Sequence, residues 1–230
     1  MGIPQNNSND QKDMVISYLI IRRAVGILGI ALPFVLLLGT WIIGNCHHIK
    51  GSVSAYYYTI MGNCLTGVLC GVALFLFAYK GPKLKNRISP NLTSNIACIF
   101  ALGTAFFPTN CDHICNYCNI LCRDDSPVSN TVHYFSAAIF FITLTYISIF
   151  QFTELDPGKT FTSQKRKRNK IYRTCGYIMA VSVIFIPALK ITAVHEALIH
   201  YKPEFLLESI ALCSFGVSWL VKGETIFKDK

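Results

Sequence analysis

The chain has 230 residues, 52% of them hydrophobic and 14% charged, with a formal net charge of +9. Soluble domains usually carry charge on about a quarter of their residues, and here the apolar residues are gathered into long runs. That excludes an ordinary soluble globule and leaves no room for an appended soluble module. The basic excess does not point to nucleic acid, because it sits in short blocks between apolar runs, as membrane topology requires.

Residues 1–23 read as a cytoplasmic N-terminal segment. A cleaved signal is not expected there, since the first apolar run starts after Arg22 and Arg23 and is too long for a signal core. Six runs then follow: Ala24–Gly44, Ala55–Tyr79, Leu92–Pro108, His133–Thr153, Tyr172–Leu189 and Phe205–Val221. A run of ~18 apolar residues crosses the ~30 Å hydrocarbon layer as a helix. Lipid offers no partner to an open backbone amide, so each span must be helical or part of a closed barrel. Ala31–Leu38 and Val72–Phe77 lack the period-two alternation of barrel strands. The expected fold is therefore all-α, a polytopic bundle of six transmembrane helices over residues 24–222, with a cytoplasmic tail at 223–230. Pro33 and Pro187 are expected to kink their helices. The spacing Gly67-x-x-x-Gly71 predicts close helix packing, within the bundle or between protomers, with the within-bundle contact favoured.

Lysine and arginine set the direction. The N-terminal segment, the second and fourth loops and the C-terminal tail hold seventeen, whereas the odd-numbered loops hold four: Lys50, Arg123, Lys190 and Lys202. Alternation with every span predicts both termini on the cytoplasmic side. The run Lys165–Lys170 fits this rule as inside charge and is compatible with anionic lipid headgroups. The sequons at Asn6 and Asn91 fall on the same inner side, where glycosylation does not occur.

With that direction, all six histidines (His47, His48, His113, His133, His195, His200) and five of ten cysteines collect at the outer face. Cys111, Cys115, Cys118 and Cys122 share the third loop. Four thiols can hold zinc or an iron–sulfur cluster, but these spacings match neither the paired zinc pattern nor a ferredoxin run. On an oxidising face, disulfides among these four and Cys46 are the favoured expectation. The remaining cysteines lie in spans and behave as small apolar residues.

Ser54, Tyr57 and Tyr58, in the stretch Ser52–Thr59, enter the second span from outside. Tyrosines there form an aromatic belt, or the polar rim of an outward cavity. Three in a row point in different directions round a helix, so at least one should face protein. His133 and Ser136 share a helix face. Glu208 lies about one turn inside the last span, where a carboxylate must be matched, so it is expected to face the bundle. Its expected partners are Tyr58, Thr59, Asn63, His133 or Ser136.

The stretches Ser52–Thr59, Ala101–Pro108, His133–Ala138 and Phe215–Glu224 resemble a group of uncharacterised bacterial six-helix membrane proteins. The similarity runs from the second span to the C-terminus, and the architecture is more distantly similar to the DRAM-like six-helix group. Neither resemblance implies an activity, and the Cys-rich third loop departs from the pattern. The outer His, Ser and Asp residues also resemble the alkaline ceramidase and adiponectin-receptor hydrolases, which would imply zinc held by histidines. The chain lacks that family's H-x-x-x-H spacing in the last helix and is one helix short.

The expected function is that of an integral membrane protein binding a small molecule, lipid or partner at an outward-facing, His-rich polar pocket, with no cofactor and no nucleic acid. The alternative is a zinc-dependent membrane hydrolase, with metal on His133, His195 and His200, Glu208 as general base and Ser136 nearby. Scarce charge within the spans argues against a channel or carrier. The bilayer partner is expected to be a bacterial inner membrane or a eukaryotic endomembrane or plasma membrane.

Overall fold

The computed structural model describes residues 6–81, 88–111, 118–120, 122, 126–155, 160–189 and 198–225, with side chains from residue 17 onward. Among these residues there are six α-helices and no strand: α1 (Asn6–Ile42), α2 (Gly62–Ala78), α3 (Pro90–Phe106), α4 (Pro127–Tyr146), α5 (Ser163–Ala188) and α6 (Pro203–Lys222). Four stretches are long and apolar enough to cross a membrane: Ser17–Ile42 in α1, Pro127–Gln151 in α4 and its extension, α5 and α6. α2 and α3 are shorter, at 17 residues each.

Local chemistry sets the helix starts. Pro90, Pro127 and Pro203 occupy first-turn positions, where a missing N–H costs nothing. The Ser126 and Thr162 hydroxyls accept the Ser129 and Lys165 amides, at 3.3 and 3.0 Å, and so cap α4 and α5. These caps start both helices earlier than the apolar runs do. α1 likewise extends back through the polar segment before Arg22, and runs on through Pro33.

Each helix packs on its neighbour in sequence, and α6 returns to α1, closing a ring. The closure uses glycine. A Cβ on Gly216 would lie 2.5 Å from the Gly26 carbonyl oxygen, so the backbones of α1 and α6 touch. Gly67 and Gly71 do not play this role, because a Cβ at either meets nothing within 4 Å. The predicted within-bundle contact at that pair is therefore corrected: both glycines sit where α2 has no close neighbour.

The basic end of the ring is filled by aromatics. Trp219 lies 5.0 Å from Tyr79 and 5.3 Å from Phe152, between ring centroids. The basic run divides by helical period. Lys165 and Arg168 are buried on the face shared with Tyr172, while Arg166, Lys167 and Lys170 are exposed. Lys165 Nζ donates to the carbonyls of Phe152 and Glu154, at 2.9 and 2.6 Å, which satisfies a cation in a closed setting. α4 is extended by a wider, π-type turn at Ile147–Gln151, and Gln151 bonds there to Thr93 of α3 at 2.9 Å.

Candidate functional site

The segment between α1 and α2 folds over the opposite end. The second span was expected to begin at Ala55, yet α2 begins at Gly62, and Ser54–Tyr58 forms a separate 3-10 turn. The Ser52 hydroxyl caps that turn through the Ala55 amide at 3.0 Å. A Cβ on Gly62 would fall on the Tyr57 carbonyl, so only glycine permits the tight fold-back into α2. The turn is therefore laid across the bundle instead of extending a helix into headgroups.

Its side chains insert downward. Tyr56 is 0% exposed, and Val53 and Tyr56 pack with Leu32, Leu36, Leu65 and Phe205. Tyr58 is also buried, and its hydroxyl donates to the Thr109 carbonyl at 2.5 Å. For Tyr56 and Tyr58 the belt expectation gives way to packing against protein. Tyr57 is half-buried beside the Tyr58 ring.

Described residues of loops one and three meet beside this turn. Cys46 and Cys118 stand at disulfide distance with Cα atoms 5.6 Å apart, as do Cys111 and Cys122 at 5.8 Å. Cys115 lies outside the described residues. The Ile120 amide donates to the Tyr58 carbonyl at 2.8 Å. Lys50, only 2% exposed, donates from Nζ to Asn119 Oδ1 at 2.7 Å. This lysine, counted in sequence as a loop charge, is an internal strut of the cover.

Two side chains of the bundle hold the turn from below. His133, in the second turn of α4, is buried, with Nδ1 2.7 Å from the Phe107 carbonyl oxygen and Nε2 2.9 Å from Ser54 Oγ. A carbonyl only accepts, so Nδ1 carries a proton and donates. In the neutral ring Nε2 then accepts from the Ser54 hydroxyl. Glu208 Oε2, in the second turn of α6, accepts the Val53 amide at 2.6 Å. Glu208 therefore faces the bundle, and this partner is a backbone group outside the five expected side chains.

His133 and Glu208 both line one cavity of about 270 Å³ between α4, α5 and α6. The rest of its wall is apolar apart from the Tyr134 hydroxyl, with Ala137, Ala138, Phe141 and Val183 in contact and Pro187 at the end of α5. Ser136 is not in this wall. It turns to α3, where a Cβ on Gly103 would lie 2.5 Å from its Oγ. Ser54 reaches the site through His133, while Tyr57 and Tyr58 belong to the cover.

One member of the expected zinc set of His133, His195 and His200, namely His195, lies outside the described residues; among the described ones no group of three or more His, Cys, Asp or Glu is placed to hold a metal ion. His200 is exposed in a short turn before α6. His195 and His113 lie outside the described residues, and His47 and His48 are exposed after α1. The sequence offered no signal for the Val53 amide or for the apolar wall at Ala137 and Val183. An amide has no side-chain signature, and apolar residues fill every span. No family model, curated protein or solved structure matches the chain.

Proposed function

We propose that the chain is a six-span integral membrane protein, N-in and C-in, which binds a small amphiphile in the cavity between α4, α5 and α6 at its outer end. The observation that carries this is the pairing of His133 and Glu208 in an otherwise largely apolar wall. Ligand sites are typically apolar with a few convergent polar groups, at about 300–1,000 Å³. A cavity of about 270 Å³ suits a headgroup with a short apolar portion rather than a whole lipid. Glu208 accepts the Val53 amide and also lines this wall, so a carboxylate faces the cavity. The favoured ligand presents a hydrogen-bond donor or cation to Glu208 and an apolar body to Ala137, Ala138 and Phe141. Disulfides at Cys46–Cys118 and Cys111–Cys122 would hold the cover in register.

The test is native mass spectrometry of protein purified in a mild detergent. A co-purifying small-molecule adduct is expected in the wild type and lost in Ala138→Trp, which fills the cavity. An adduct of unchanged occupancy in that variant removes the proposal. The hydrolase alternative draws on the same His133–Glu208 pair. It needs stoichiometric zinc in the purified protein, lost on His133→Ala, although both ring nitrogens of His133 are already engaged.

A further inference from the structure

The basic end carries a second cavity, unconnected with the first. It holds about 490 Å³ between the end of α4 and the first half of α5. Asn169, Arg173 and Tyr177 line it from α5. They are four residues apart, so they form one stripe on one helix face. Phe150 and Thr153 face them from the α4 extension, and Phe161 closes one side.

Three features of this cavity give its chemistry. Arg173 is exposed in the wall and, among the described residues, has no carboxylate partner. Asn169 donates from Nδ2 to the Thr153 carbonyl at 3.0 Å, which fixes its amide, and its buried Oδ1 is left without a donor. Glu154 also lines the cavity, and Arg166, Lys167 and Lys170 add exposed positive charge along α5. The site thus offers a planar cationic fork suited to a phosphate, beside an amide held in place by the Thr153 carbonyl.

A further feature gives the source of the phosphate. Tyr177, 58% exposed, also borders an apolar groove of about 340 Å³ between α5 and α6, lined by Ile178, Val181, Leu207 and Ile210. Amide, cation and aromatic ring in succession along one helix face, with an apolar track leading away, match a headgroup and its chain. A free phosphate would have no use for the groove. We infer that this seam binds an anionic phospholipid, its phosphate on Arg173 and an acyl chain past Tyr177 along Val181.

The inference is tested on full-length protein in maltoside detergent by thermal unfolding with added lipid. Dioleoyl phosphatidylglycerol in excess should raise the melting temperature by on the order of 5 °C. Dioleoyl phosphatidylcholine, which lacks net charge, should give less than half that shift, and so should glycerol 3-phosphate. Arg173→Gln should remove most of the phosphatidylglycerol shift, whereas Lys170→Gln, at an exposed cation outside the cavity, should keep it. Val181→Trp, which blocks the groove, should reduce it with Arg173 intact. Equal losses in the Arg173 and Lys170 variants would mean diffuse attraction and overturn the site. A full shift from glycerol 3-phosphate, or none lost in Val181→Trp, would overturn its assignment to a lipid.

Discussion

The carboxylate of Glu208 on α6 holds the backbone amide of Val53, 155 positions earlier in the chain, at 2.6 Å. One residue further along, Ser54 meets His133 of α4 at 2.9 Å. Two adjacent residues of a loop are thus fastened to two helices by the same side chains that line the cavity between α4, α5 and α6. A ligand drawing on Glu208 or His133 competes with, or adds to, bonds that hold the cover down.

The Glu208 bond predicts an order of variants. Glu208→Gln keeps an acceptor for the Val53 amide and should lower the melting temperature little. Glu208→Leu leaves that amide unsatisfied and should cost about 1–3 kcal/mol. Thermal unfolding in detergent separates them, and equal losses would mean that the bond does not matter to the fold.

His133 and Ser54 should behave as one unit. Ser54→Ala and His133→Ala are each expected to destabilise, and the double variant should cost less than the sum by about 0.5–3 kcal/mol. Strict additivity in a double-mutant cycle would contradict the observed contact.

The two cysteine pairs specify a connectivity. Non-reducing peptide mapping of protein alkylated in situ should recover Cys46 with Cys118 and Cys111 with Cys122, and no other pairing of these four. The first bond spans 72 positions, so Cys118→Ser should destabilise by about 2–5 kcal/mol. Recovery of all four as free thiols would remove the bonded cover.

The glycines give a contrast. Gly216→Ala drives a methyl into the Gly26 carbonyl and should destabilise by about 1–3 kcal/mol. Gly67→Ala enters open space on a helix and should stabilise by about 0.5–1 kcal/mol. Opposite signs in thermal unfolding are the expected result. A tolerant Gly216 would mean that α1 and α6 are not in backbone contact.

The proposed topology places the starts of α4 and α5 on opposite sides of the membrane. Cysteines at Val128 and Ser163, both exposed, should label with an impermeant maleimide from opposite faces, in a background without other reactive thiols. Labelling of both from one face would end the six-span proposal.

The sequence by itself determined that the chain is helical and apolar, because run length and the cost of open backbone in lipid are local quantities. Each apolar run holds one observed helix, with ends displaced where Ser126, Thr162 and Gly62 set them by caps and a tight turn. Bundle-facing Glu208 was legible too, since an isolated carboxylate in an apolar helix must turn inward. What only the tertiary structure decided was who meets whom. Ser52–Tyr58 has the composition of a headgroup belt, and nothing local says that it folds back over the bundle. Gly67 and Gly71 have the spacing of a packing motif, but Gly26 and Gly216 make the contact, because contact depends on which helix lies opposite. The Val53 amide, common to every residue type but proline, becomes a partner for Glu208 only when two distant segments are brought to one place.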